Sequence, residues 1–236
     1  MKISFLFIIS MWLIASGLSG GTENGRHTGG FSQPRNGTLQ GTVELHNATQ
    51  LIRREPGTPY GNQMPNMSDM PKHINENENV VIYLEGKELH TDENSEPRHE
   101  TMNQKDATFI PHVLPILKGT FVDFVNEDDT YHNVFSLSPT KRFNIGRRPT
   151  GVVVPVRFDK TGVAEIFCDI HSYMSAFIIV LDNPFFTKPD AHGFFKIENI
   201  PPGTYTMKVW HERLHSESET VTITAGSTTT AHPVLE

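Results

Sequence analysis

The single cysteine, Cys168, stands in the run Phe167-Cys168-Asp169-Ile170-His171-Ser172-Tyr173-Met174, where a thiol, an imidazole and a thioether follow one another at intervals of three residues. Upstream, Asp129-Thr130-Tyr131-His132-Asn133-Val134 offers a second imidazole. Two imidazoles, one thiolate and one weak sulfur form the trigonal donor set of copper centres that pass electrons singly. Taken one at a time, Cys168 reads as a buried thiol, His171 as a surface residue and Met174 as core filler. Their joint spacing favours a different expectation, one type 1 copper ion held by His132, Cys168, His171 and Met174.

Such a site needs a rigid frame, and the sequence supplies strands around it. Alternating or continuously apolar stretches predict strands over 109–117, 119–126, 132–137, 151–158, 162–168 and 175–181, separated by turn residues such as Lys118-Gly119, Ser138-Pro139 and Thr161-Gly162. Helical periodicity is absent, so an antiparallel sandwich or barrel is expected. One strand would deliver Cys168, the following loop would carry His171 and Met174, and the next strand would leave. His132 would arrive from another hairpin.

Further strands are expected on both sides of this block, over 38–45 and 79–86 before it and over 193–211, 219–224 and 228–235 after it. Pro201-Pro202-Gly203 would turn the first of the later segments back on itself. Four strands are few for an independent sandwich, so they need partners from elsewhere in the chain. The polar and acidic stretch 91–107 reads as a surface linker.

Met1-Lys2, the apolar run 3–13 and the small residues up to Gly20 resemble a secretory signal. That predicts an extracytoplasmic protein, periplasmic or secreted, with a disordered leader over 21–36. The apolar run is shorter than the roughly 20 residues of a spanning helix, so no transmembrane segment is expected. A lone cysteine in an oxidising setting has no internal disulfide partner, which again favours a ligand role. Lys and Arg number 20 against 27 Asp and Glu; that acidic balance, with no large basic face, argues against a nucleic-acid partner.

The block from about Thr108 to Leu181 resembles the cupredoxins, and its Cys-x-x-His-x-x-Met loop has the amicyanin-type spacing, shorter than that of plastocyanins. The resemblance implies ligand roles for His132, Cys168, His171 and Met174. It also implies that Asn133 ties the two ligand loops together and donates toward the thiolate, as outer contacts that orient ligands do. Ile166 departs from the pattern, since many cupredoxins carry an aromatic residue there. Together with 190–211, the block resembles exported methylamine-utilisation proteins. The tail resembles carboxypeptidase-regulatory-like (transthyretin-like) sandwiches, whose early strands match Gly41-Thr42-Val43 and Val81-Ile82-Tyr83-Leu84.

The expected fold is therefore all-β: a cupredoxin Greek-key sandwich over 108–183, combined with a second small carboxypeptidase-regulatory-like sandwich built from 37–90 and 190–236. The expected function is single-electron transfer between redox partner proteins, without enzymatic activity. Two other readings stay open: a copper storage, delivery or resistance protein, and a cell-surface module with a vestigial copper site. The first draws on Met64, Met67, Met70 and His73, which lie in one polar stretch and could capture Cu(I) with soft thioethers. The basic run Lys141-Arg142-Phe143-Asn144-Ile145-Gly146-Arg147-Arg148 reads as a solvated face. His112, His192, His211, His215 and His232 read as structural or surface residues.

Overall fold

The computed structural model describes residues 36–46, 75–89 and 97–236. The expected signal peptide, the leader up to residue 35, the stretch containing Met64, Met67, Met70 and His73, and linker residues 91–96 lie outside the described residues. Among the described residues no helix is long and apolar enough to cross a membrane.

The first strands are β1 (Gly37–Thr42), β2 (Glu44–Leu45) and, after a 3-10 turn at Glu76–Asn79, β3 (Val81–Glu85). Nine more follow: β4 (His99–Lys105), β5 (Thr108–Ile110), β6 (Val113–Leu117), β7 (Phe121–Asn126), β8 (Phe135–Leu137), β9 (Arg142–Asn144), β10 (Val153–Arg157), β11 (Gly162–Phe167) and β12 (Ser175–Leu181). The chain finishes with β13 (Phe186–Thr187), β14 (Phe194–Ile200), β15 (Gly203–Trp210), β16 (Glu219–Ile223), β17 (Thr228–Ala231) and β18 (Val234–Leu235).

Two sheets, ordered β10-β7-β4-β5 and β6-β12-β11-β8-β9, enclose one core. Phe109, Phe124, Phe158, Ile166 and Ile178 fill it. Two other sheets, β14-β1-β17 and β13-β3-β15-β16, enclose a second core containing Leu39, Ile82, Leu84, Phe195 and Tyr205. The chain is thus all-β, a larger sandwich together with a smaller one. In the smaller sandwich β1 pairs with β14 and β17, and β3 pairs with β13 and β15.

The two sandwiches meet through strands that are apolar on both faces. Along β12, Ala176, Ile178 and Val180 enter the first core, while Ile179 and Leu181 point the other way. Along β3, Ile82 and Leu84 enter the second core, while Val81 faces Ile179, Leu181 and Val113 in a cluster of their own. Period-two side-chain alternation on a strand makes this two-sided use possible. Each fully buried aliphatic side chain there contributes about 1.5–3 kcal/mol by leaving water, so the junction is a packed interface.

Residues 99–105, expected as linker, are the strand β4. It runs parallel to β7 and antiparallel to β5. Only Met102 and Gln104 turn fully inward, so the stretch is polar in sequence although its backbone bonds are satisfied in a sheet. The expected strand 109–117 is broken at Pro111-His112, where the chain leaves β5 in one sheet for β6 in the other. Arg142–Asn144, read as part of a charged run, pairs with β8.

Candidate metal centre

β11 buries Ala164 and Ile166 against the core and so fixes the direction in which the chain reaches Cys168. The chain then turns tightly: Met174 N–H donates to the His171 carbonyl at 3.0 Å, and Cys168 N–H donates to the Met174 carbonyl at 3.3 Å. These bonds draw the ends of the loop together before β12 departs. Cys168 and Met174 are both buried in the same core cluster, and His171 is half-buried at the surface.

His132 comes from the other side, after a loop shaped by Asn126. The Asn126 amide donates to the carbonyls of Thr130 and Arg148, at 2.7 and 3.0 Å, and its oxygen accepts from Asp128 N–H. His132 and Arg148 exchange both main-chain bonds in an isolated bridge. The imidazole that results has no solvent exposure.

Asp128 sets the orientation of that ring. Its carboxylate accepts from His132 Nε2 at 2.8 Å and from the backbone N–H groups of Asp106 and Ala107, at 2.6 and 2.9 Å. Asp106 and Ala107 both have φ of 51° and form the two-residue turn between β4 and β5; this left-handed backbone aims both N–H groups at one carboxylate. Burial pulls the Asp128 carboxyl upward, but the Ala107 N–H, His132 and the Asp106 N–H more than offset it and hold it below its ordinary value. An ionised carboxylate only accepts, so Nε2 carries the proton and a neutral His132 presents its lone pair at Nδ1.

That lone pair faces His171 Nδ1 at 3.0 Å, with Cys168 Sγ 3.9 Å from His132 Nδ1. The three donor atoms lie within 4.8 Å of one another. Burial, followed by the neighbouring His132, holds the His171 imidazole below its ordinary value, with Asp128 acting the other way. Two imidazole nitrogens at this separation repel unless a proton or a cation lies between them. The donor set of two nitrogens and one thiolate suits a copper ion on chemical grounds. Asn133 is buried next in sequence to His132, and its Oδ1 has no hydrogen-bond partner among the described residues. Its carbonyl accepts from the buried Gln104 of β4 at 3.3 Å.

The structure therefore brings His132, Cys168 and His171 together and buries Met174 at the end of the same loop. Met64, Met67, Met70 and His73 lie outside the described residues. Sequence reasoning missed Asp128, whose only sequence signal is a carboxylate four residues before the histidine it holds. At the rim, Tyr131 and Ile170 are exposed neighbours in sequence of His132 and His171, and Arg147 lies 3.9 Å from Asp169.

Residues 180–231 match the family model described as polysaccharide lyase family 4, domain II, a description different from the carboxypeptidase-regulatory likeness expected for the tail. No curated protein matches the chain. Solved structures similar to it include a copper-containing nitrite reductase from Thermus scotoductus SA-01, with 28% identity, 40% of this chain and 25% of that chain covered, and a TM-score of 0.35. A purple cupredoxin from Nitrosopumilus maritimus shows 24% identity over 34% of this chain and 98% of its own, with a TM-score of 0.32. An amicyanin variant in its reduced Cu(I) form at pH 4 shows 13% identity over 42% of this chain and 98% of its own, with a TM-score of 0.34. The chain spans about a quarter of the length of the nitrite reductase.

Proposed function

We propose that this chain is an extracytoplasmic type 1 copper protein that carries single electrons between partner proteins. The observation that carries the reading is the convergence of His132 Nδ1, Cys168 Sγ and His171 Nδ1 within 4.8 Å, on a frame that Asp128 and the Cys168–Met174 backbone bond hold fixed. His132, Cys168 and His171 would hold the ion, with Met174 as the weak fourth donor. When bound, copper supplies a one-electron couple.

The protein residues keep that couple inexpensive to operate. A buried His132 fixed through Nε2 does not reorient when the charge at Nδ1 changes, and Cys168 at the end of β11 is held by the sheet. Buried donors exclude water from the thiolate, while the half-exposed His171, flanked by Ile170, offers the short path to a docked partner. In this reading the chain carries electrons and performs no catalysis of its own.

The test is to load the full chain with Cu(II) and record visible and electron paramagnetic resonance spectra beside Cys168→Ser. An intense thiolate-to-copper band with narrow hyperfine splitting, reversible on reduction and absent in the variant, is expected. The variant should also bind Cu(II) more than about 100-fold less tightly, beyond the loss caused by removing an orienting partner alone. A colourless protein that retains only Cu(I) would overturn electron carriage in favour of copper handling.

A further inference from the structure

His112 occupies the crossing between the two sheets of the larger sandwich and grips the first residues of β12 twice. Its carbonyl accepts from Phe177 N–H at 2.8 Å, and its ring Nδ1 lies 3.0 Å from the Ser175 carbonyl. Ser175 directly follows Met174. On its other side, Nε2 lies 3.2 Å from Oε2 of Glu212, in the loop after β15 of the smaller sandwich. The ring stands edge-on to Phe177 with centroids 5.6 Å apart, and Phe177 in turn packs on Trp210 at 5.3 Å.

A carbonyl oxygen cannot donate, so the Ser175 bond requires a proton on Nδ1. An ionised carboxylate cannot donate either, so the Glu212 bond requires a proton on Nε2. The two contacts tie the ring at once to the start of β12 and to Glu212 of the smaller sandwich, and hydrogen bonds to a charged carboxylate are among the stronger ones. Burial pulls the Glu212 carboxyl upward, but the bond from His112 and the neighbouring positive charges, Arg213 among them, more than offset it and hold it below its ordinary value. Arg213 Nε lies 3.5 Å from Glu212 Oε1, and the Arg213 guanidinium also bonds Glu76. Glu212 is therefore anchored in the smaller sandwich and is not a free surface carboxylate; its side chain is 17% exposed.

We propose that His112 is a positioning residue through which the smaller sandwich, by way of Glu212, holds the Ser175 carbonyl and with it the loop that carries His171 and Met174. This inference rests on the copper reading above. It assigns the smaller sandwich a part in setting the electronic character of the site, by fixing how closely the weak sulfur donor and the half-buried imidazole of His171 approach. The aromatic contacts keep the ring in place, and the two polar bonds give it direction.

The experiment compares copper-loaded full-length parent, His112→Phe, Glu212→Ala and Glu212→Gln. His112→Phe retains a ring against Phe177 and loses both donors; Glu212→Gln retains an acceptor for Nε2. With folding checked by circular dichroism, His112→Phe and Glu212→Ala are expected to lower Cu(II) affinity by roughly tenfold. They should also shift the reduction potential and alter the copper hyperfine splitting, while Glu212→Gln stays close to the parent. Folded His112→Phe and Glu212→Ala with the parent's spectrum and potential would overturn the inference. If His112→Phe does not fold, the Glu212 pair decides by the same criteria. A parent that itself develops no thiolate-to-copper band would instead bring down the copper reading on which the inference rests.

Discussion

Two histidine clusters in this molecule have opposite hydrogen-bond economies. In the larger sandwich, His132 and His171 point Nδ1 atoms at each other across 3.0 Å beside a thiol. In the smaller one, His211 is equally buried, yet both its nitrogens are engaged: Nδ1 accepts from the N–H groups of Arg213 and Leu214, at 3.2 and 3.1 Å, and Nε2 lies 3.3 Å from Glu76. Glu76 also accepts from Arg213 and from Asn79. The second cluster is closed, every lone pair of the histidine being satisfied by the chain. The first gathers lone pairs that the chain leaves facing one another, and this is what separates a site that wants a cation from one that locks a loop. Counting histidines would not distinguish them.

The largest difference between the two clusters is expected at Glu76. If the smaller cluster is structural, Glu76→Ala removes one acceptor of Arg213 and the Nε2 partner of His211 and should destabilise the fold by about 2–3 kcal/mol, measured by denaturant unfolding of the metal-free chain. Copper affinity of the folded fraction should fall far less than in Glu212→Ala, which removes the partner of His112 itself. Equal loss of stability and of copper binding would mean the two clusters are not separate in function.

Asp128→Asn probes the other side. It keeps an acceptor for one partner but removes the charge that accepts from Asp106, Ala107 and His132 together. Cu(II) affinity should fall by roughly tenfold, with a smaller change in unfolding free energy than at Glu76. A variant that binds copper like the parent would show that His132 needs no orienting partner.

Acid provides the smallest and most graded effect. Burial, the largest influence, holds the His211 imidazole below its ordinary value despite Glu76. A histidine depressed in the folded state is neutral there while the unfolded chain takes up protons, so stability is full above the unfolded value near 6.5 and is lost as pH falls below it. Protonation would also evict the two backbone N–H groups from Nδ1. Glu76 and Glu212, both held below 4.5, add losses of the same sign as pH falls beneath that value. The melting temperature of the metal-free chain should therefore decline in two stages on acidification, the first of them smaller in His211→Gln, where the depressed His171 still contributes to it. A flat profile from neutral pH to pH 5 would contradict the assignment.

What could be read from the sequence follows the range of the contacts. Cys168, His171 and Met174 share one loop, so their spacing alone exposes a donor set, and Pro201-Pro202-Gly203 marks the return from β14 to β15. Asp128 was not legible, because its role comes from a turn 22 residues earlier in the chain. β4 was hidden because its outward residues are polar and only Met102 and Gln104 turn fully into the core. His112 looked like an ordinary surface histidine, since its partner Glu212 lies 100 residues away. Local chemistry is written in spacing; the contacts that orient it depend on which strands the fold lays side by side.

X-ray absorption at the copper edge on the loaded chain, in both oxidation states, tests most directly whether His132, Cys168 and His171 hold the ion. The same shell is expected in each, two nitrogen neighbours and one short sulfur, because His132, Cys168 and His171 are held by the protein and not by the ion. A shell of oxygen neighbours, or one that changes coordination number on reduction, would contradict it.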